Sequence, residues 1–572
     1  MDMNPSLAPI AEAAQDATTT GGPPLNRRAF LAWAGALTAA AGAPRAASAQ
    51  GGTTLTARQA ASRLLAQATF GGDLALIDQV VSQGDEAWLD AQLALPVQPM
   101  LPEVLALHDS GASGEELEYL YFDWIWWQRA MTAPDVLRMR VAFALSQIFV
   151  ISRREDTLFD YSTAPAAFHD ALLRGALGSF KDLLREVTLS PSMGLYLSHL
   201  NNRRSDPVAN RFPDENYARE VMQLFTIGLF ELNPDGTRKL DSAGQPIPTY
   251  GNAEITEMAK IFTGLTMAPE PGEPVEFGVE QETFGVPMVM VDAEHEPGPK
   301  TLLGGFVVPA GQTGLQDIES ALDHLVQHPN TGPFIGTHLI KFLVTSNPSP
   351  AYVARVSAIF ADNGAGVRGD MGAVVKAILL DPEARDASKI DDPAFGKVRE
   401  PFVRWVQLGR AFHATSDSGL FRHFGGDEDL EFMQQYPFFS PSVFNFFSPF
   451  HQPAGALTQA GLVAPELEII HAFTSIATVN RLSDAIVEGE YLFDRFDDPI
   501  YLDLDGELEI LEEQGPGALV DHLDLLLTYG TMSAETRQTV MDAILPIGEE
   551  PWDQLHLALF LVAISPEYAV LR

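Results

Sequence analysis

A polar stripe on an otherwise apolar helix is where this chain most plainly offers chemistry. Pro213-Asp214-Glu215-Asn216-Tyr217-Ala218-Arg219-Glu220-Val221-Met222-Gln223-Leu224-Phe225 reads as a helix entered through proline, whose missing N–H is harmless in a first turn. Asp214 and Glu215 then stand where the helix dipole favours acids, and Glu215 with Arg219 forms an i,i+4 pair. Asn216, Glu220 and Gln223 recur at helical spacing beside a face of Ala218, Val221, Met222 and Phe225. Such a stripe must find partners or water. It either hydrogen-bonds neighbouring loops or supplies carboxylates to a metal or an acid–base step.

A second cluster is Glu294-His295-Glu296-Pro297-Gly298-Pro299-Lys300. Acids flanking a histidine in a loop shaped by Pro-Gly-Pro could present the imidazole as a base or ligand, or could form a polar turn. His324 and His328 have metal-ligand i,i+4 spacing, although His328 before Pro329-Asn330 equally suits a helix end. The run Trp124-Ile125-Trp126-Trp127-Gln128-Arg129, followed by Arg138, Arg140 and Gln147, sets arginines beside core aromatics, which points to buried arginines paired with carboxylates or helix ends. Asp503-Leu504-Asp505-Gly506 fails as a calcium loop because Tyr501 takes the first ligand position. The chain has no G-x-S-x-G, no H-E-x-x-H and no G-x-x-x-x-G-K-[ST].

The elements that must position these residues are mainly helical. Helical periodicity with Leu64, Leu65 and Ala68 inward begins at Thr56, and Asp73 caps a second segment. Further helices are expected at 85–94, 115–131, 134–152, 164–175, 179–189, 213–230, 252–264, 315–328, 349–362, 369–380, 395–413, 465–488, 517–530, 534–545 and 551–562, with Gly332-Pro333 opening one more. Asp235-Gly236 and Ala243-Gly244 look like turns of a small hairpin, and Val286–Val291 and Phe306-Val307-Val308 read as strands. The predicted fold class is a large multi-helical body with a small β-containing insertion at 267–312. The remaining divisions are a leader at 1–49, helical regions at 50–266 and 313–413, and an aromatic loop with C-terminal helices at 414–572. In that loop, Tyr436-Pro437-Phe438-Phe439 and Phe444-Asn445-Phe446-Phe447-Ser448-Pro449-Phe450 predict a buried clamp between helices or, more sharply, a platform for stacking a ligand.

Arg27-Arg28-Ala29-Phe30-Leu31, a weakly apolar stretch from Ala32 to Ala43, Arg45 and Ala47-Ser48-Ala49 together read as a twin-arginine export signal cut before Gln50. The protein is therefore expected in the periplasm or outside the cell. Net charge is −40, and residues 1–49 hold three acids and three arginines, so cleavage leaves it unchanged. So negative a body repels phosphate backbones and anionic lipids, which argues against nucleic acid and membrane-surface partners. The chain has no cysteine, which excludes disulfides, thiolate metal sites, attached haem c and a cysteine nucleophile. No later apolar run is long enough for a stable membrane anchor.

Several of these segments carry a resemblance. Arg63–Gly71, Arg140–Gln147, Pro191-Ser192-Met193-Gly194, Pro213–Phe225, Phe262-Thr263-Gly264, His328-Pro329-Asn330-Thr331 and Pro441-Ser442-Val443-Phe444-Asn445 together resemble the bacterial Domain of Unknown Function 1800 family over nearly the whole mature chain. The resemblance implies a helical exported protein, and a co-exported phosphatase-like protein as partner. Many relatives carry Phe-Trp-His-x-His-Phe where this chain reads Ala144-Leu145-Ser146-Gln147-Ile148-Phe149, so a histidine-rich metal site is not expected here. Glu215, Arg219, Glu220 and His295 still match the family's polar motifs.

Two functions follow as expectations. One is an accessory or binding protein acting with a secreted enzyme or surface polymer. The other is a carboxylate- or metal-assisted hydrolase, with Glu215 and Glu220 as carboxylates, His295 as base, and Arg219 or Lys300 stabilising an anion. A divalent metal is the cofactor left open. The hydrolase requires Glu220, His295 and Arg219 to converge on an open pocket.

Overall fold

Thr56 starts the first helix through a reciprocal cap, its hydroxyl accepting from the Gln59 backbone while the Gln59 side chain accepts from Thr56 N–H. The computed structural model describes residues 53–572 apart from 112–114, 280, 424–429, 431, 490, 493–497 and 549, so the export signal and its cut site lie outside the described residues. The helices near the start of the described chain include α1 (Ala57–Ala68), α2 (Leu74–Gln83), α3 (Tyr121–Thr132) and α4 (Val136–Ser146), with two more, Asp85–Ala94 and Leu101–Ser110, between α2 and α3. Every residue of α4 from Val136 to Leu145 is buried, which is the mark of a central helix. It packs against α1, against α5 (Thr163–Ala176) and against a later helix that forms one wall of the site described below.

After α6 (Phe180–Leu189), α7 (Asn216–Gln223) and α8 (Asn252–Ile261), the chain makes two short antiparallel pairs. Strand β1 (Leu265–Thr266) pairs with β2 (Val289–Met290), and β3 (Lys300–Thr301) pairs with β4 (Val307–Val308). The expected β insertion thus shrinks to two-residue strands, one of which begins at 265, before the predicted boundary. Its Met288, Leu302, Leu303 and Val308 join the same hydrophobic core as the helices. The hairpin predicted from Asp235-Gly236 and Ala243-Gly244 is present as backbone bridges Leu232↔Arg238 and Leu240↔Pro246, turning at Gly236 and Gly244 with positive φ.

Helices α9 (Gly314–Gln327), α10 (Thr331–Leu343), α11 (Pro350–Ala361) and α12 (Met371–Leu379) follow, with α10 packed on α4 and α11. The helix predicted at 395–413 starts only at Pro401, because Lys397–Val398 (β5) instead pairs with Val570–Leu571 (β6) at the end of the chain. Beyond α13 (Pro401–Ala411), helices α14 (Ala472–Val487), α15 (Pro516–Thr528), α16 (Ala534–Ile544) and α17 (Pro551–Ala563) close the body, and α17 touches each of the other three. One continuous hydrophobic cluster runs from Ala61 to Tyr568. Among the described residues no helix is long and apolar enough to cross a membrane.

The aromatic loop divides its work. Tyr436 and Phe438 are buried, and Arg153 N–H donates to the Phe438 carbonyl at 2.6 Å while the Arg153 guanidinium pairs with Asp123 at 2.7 Å. That half is a clamp. Phe444 and Phe450 are 60 % and 55 % exposed and stand in the wall of a cleft.

Candidate functional site

Helix α7 begins at Asn216, three residues after the predicted proline entry, for a local reason. Asn202 grips the preceding backbone, its Oδ1 accepting from Asp214 N–H at 2.9 Å and its Nδ2 donating to the Asp214 carbonyl at 3.2 Å. The Asp214 carboxylate then accepts from Asn216 N–H at 2.8 Å. Glu215 accepts the Thr256 hydroxyl at 2.8 Å and lies 3.8 Å from Arg219, both side chains being partly exposed. Glu220 is buried, and its Oε2 has no hydrogen-bond partner. Burial pushes its carboxyl above the usual range, against the pull of Arg219. Beside it, burial and then the Glu220 charge push the Tyr250 phenol up to about 12. Tyr250 also reaches Gln223 Oε1 at 3.5 Å.

His295 and Lys300 meet each other, but around a residue the sequence reading passed over. His295 Nδ1 donates to the Thr263 carbonyl at 2.8 Å, and its Nε2 lies 3.0 Å from Asp317 Oδ2 and 3.2 Å from Lys300 Nζ. Lys300 also pairs with Asp317, whose other oxygen accepts Gln312 Nε2 at 2.9 Å. All three side chains are buried. The network ties the loop before β3 to the first turn of α9, with its charges matched inside the protein. Helix α8 packs on α7 and also on β3 and α9, and no hydrogen bond or ion pair joins Glu220 or Arg219 to His295 or Lys300. Glu220 and Arg219 take no part in the His295–Lys300–Asp317 network, and none of Glu220, Arg219 and His295 lines the cleft described below. His324 and His328 each hydrogen-bond the backbone: His324 Nε2 donates to the Leu303 carbonyl at 2.9 Å, and His328 Nδ1 accepts Asn330 N–H at 3.2 Å. Among the described residues no group of three or more His, Asp or Glu side chains could hold a metal ion.

An open cleft of about 640 Å³ lies where the ends of two helices, the hairpin residues Leu232, Gly236 and Arg238, a third helix, the aromatic loop and Glu468 meet. The end of α4 supplies Gln147 and Ile148, and the end of α7 with the next turn supplies Gln223, Leu224 and Ile227 to Phe230. Helix α10 adds Phe334, His338 and Phe342, and the loop from Pro441 to Phe450 closes the other wall. Gly228 takes φ 70°, and a Cβ there would stand 3.0 Å from the Phe334 ring, so this turn needs glycine. Non-glycine residues Gln434, Phe438 and Asn445 also take positive φ, strain of the kind that packing must hold in place.

The cleft's charged lining residues, Arg238 and Glu468, are exposed, whereas the polar side chains buried in it, Gln147, His338 and Asn445, are amides and an imidazole. Gln147 Oε1 accepts from Asn445 Nδ2 at 3.2 Å and from Gln435 Nε2 at 3.4 Å, leaving Gln147 Nε2 buried without a partner. His338 Nδ1 donates to the Phe334 carbonyl at 2.7 Å, and burial pushes the imidazole down to about 4. It is therefore neutral, with Nε2 as an acceptor. Behind Phe342 lies a buried ionic group in which Lys397 meets Glu400 at 3.3 Å and Glu466 at 3.1 Å, while Arg140 and Lys397 both donate to the Phe342 carbonyl. Burial pushes Glu466 up to about 7 and Lys341 down to about 8.

Sequence reasoning missed Asp317 because an acid in a first turn already has a reason to be there, the helix dipole. It missed the Gln147–Asn445 pairing because nothing local links a helix end to a loop so distant in the chain. The one available signal was that Arg140–Gln147, Pro213–Phe225 and Pro441–Asn445 are all segments of the family resemblance, and all three reach this cleft. A family model described as a protein of unknown function (DUF1800) matches residues 63–570. No curated protein and no solved structure gives a match.

Proposed function

The chain belongs to the DUF1800 family, and we propose that it is an exported accessory protein whose cleft holds an apolar segment of a secreted enzyme or surface polymer. The observation that carries this reading is the cleft itself, with Phe444 and Phe450 exposed in a lining that holds few polar groups among its apolar side chains. Concave, mostly apolar sites with a few placed polar groups are the usual form of binding sites. Exposed phenylalanines in one wall gain free energy only when something covers them.

The test is binding of a neutral apolar probe, Nile red, to the mature chain from Gln50 onward, against the Phe444→Ala/Phe450→Ala pair. Saturable binding that the pair weakens supports the reading, whereas equal binding by both proteins overturns it. Export is tested separately: Arg27→Lys with Arg28→Lys should leave uncleaved protein in the cytoplasm, and normal export of that variant would refute a twin-arginine route.

A carboxyl-assisted hydrolase remains as a second reading on one observation. Glu220 has an unpartnered buried oxygen, a raised carboxyl affinity for its proton, and a place one turn from the cleft residue Gln223. It would act as an acid with Tyr250 beside it, and without His295 or Lys300. A hydrolytic activity abolished by Glu220→Gln at unchanged stability would favour it over the binding reading.

A further inference from the structure

The base of the cleft is chemically particular in a way that its aromatic walls are not. Gln147 is buried where the last turn of α4 meets the cleft, and two amide donors from the aromatic loop, Asn445 Nδ2 and Gln435 Nε2, converge on its Oε1. Both contacts engage the carboxamide through its oxygen. The Nε2 group has no partner in the protein. A buried donor left unmade costs as much as it would return on finding an acceptor, so it rewards a ligand that brings one. His338, in the same cleft, offers the complementary group, an unprotonated Nε2 that accepts.

We infer that the cleft recognises an uncharged, extended peptide segment with aromatic or branched apolar side chains, Gln147 Nε2 donating to a backbone carbonyl of that segment and His338 Nε2 accepting a backbone N–H. This deepens the binding reading above and rests on it, assigning the partner as a protein rather than a polysaccharide. Charge complementarity supports the choice. Arg238 and Glu468 also line the cleft, but both are exposed, and a carboxylate, phosphate or ammonium brought against the buried Gln147 and His338 would lose its hydration and find an amide and a neutral imidazole. A peptide group brings one acceptor and one donor without charge. The phenylalanine walls match apolar side chains, and the hydroxyl-rich edges of a sugar would leave most of those hydroxyls unpaired there.

The test uses the mature protein with four probes observed by ligand NMR: the capped dipeptide N-acetyl-Phe-Leu-amide, its zwitterionic parent Phe-Leu, cellotriose and Nile red. The expected result is that the capped dipeptide binds at least tenfold more tightly than Phe-Leu or cellotriose. Gln147→Met should weaken the capped dipeptide about tenfold and leave Nile red unchanged. Because Gln147→Met also removes the acceptor for Asn445 and Gln435 and could disturb the fold, Gln147→Glu is measured beside it. That variant keeps an acceptor for both amides, replaces only the donor, and should lose the capped dipeptide as well. Capped dipeptide and Nile red binding that neither substitution alters would overturn the amide recognition while leaving the cleft as a binding site. Preferential binding of cellotriose or Phe-Leu would overturn it too. Failure of wild-type protein to bind Nile red would instead remove the binding reading on which the inference rests.

Discussion

Gln147 and Asn445, 298 positions apart in the chain, meet in a 3.2 Å hydrogen bond at the base of the cleft. The contact joins the end of a helix buried from Val136 to Leu145 to the aromatic loop whose phenylalanines wall the cleft. Asn445 occupies the left-handed region at φ 68°, which asparagine tolerates better than most residues. The geometry of the cleft therefore depends on a loop held by side-chain amides and by the buried clamp at Tyr436 and Phe438.

Phe444 and Phe450 carry binding rather than stability. Both are more than half exposed, so Phe444→Ala and Phe450→Ala should each change unfolding free energy by no more than about 0.5 kcal/mol. Urea unfolding checks this. A loss of several kcal/mol would mean that these rings belong to the core and not to a binding wall.

Asp317 is expected to matter for the fold. Asp317→Ala leaves Lys300 buried without its counter-charge and should cost about 3–5 kcal/mol. The double variant Asp317→Leu/Lys300→Met removes both charges and should cost less than Asp317→Ala alone. Denaturant midpoints decide the matter, and a nearly neutral Asp317→Ala would show that the network is not the tie described above.

His169 gives a pH signature. It is buried between Phe122 and Phe438 with neither ring nitrogen partnered, and burial pushes it down to about 3. Between that value and its ordinary 6.5, the unfolded chain binds a proton that the folded chain refuses, so the stability present above 6.5 is lost as pH falls. From pH 8 to pH 5 the difference amounts to about 2 kcal/mol. His169→Phe lacks this loss, so whatever its stability at pH 8, it should gain about 2 kcal/mol relative to wild type by pH 5. Parallel pH dependence of the two proteins would contradict a neutral buried imidazole.

Glu220 should show the opposite sign. Its folded carboxyl holds its proton more tightly than the unfolded one, so its contribution is favourable at low pH and is lost as pH rises through the ordinary carboxylate range. Glu220→Gln should therefore become progressively more stable relative to wild type between pH 4 and pH 8. Thermal unfolding across that range checks it, and a widening advantage for wild type would place an unseen partner on Glu220.

Much of the helical architecture was legible because its signals are local. Asp73 caps its helix as the sequence predicts, and Thr56, Thr313, Ser349 and Ser533 each cap a helix within a residue or two of a predicted start. The readings that failed were overruled from a distance. Asn202 shortened the start of α7, and β6 at the far end of the chain claimed Lys397–Val398 from the next helix. Composition and periodicity determined a mainly helical body without disulfides, since both depend on residue types and on spacings of a few residues. Only the tertiary structure decided that His295 and Lys300 close around Asp317, that one oxygen of the buried Glu220 is left without a hydrogen-bond partner, and that Gln147 and Asn445 meet in the lining of an open cleft. A pattern within one turn is set by its own backbone, whereas partners brought from different helices exist only once the core has packed and fixed where each helix ends.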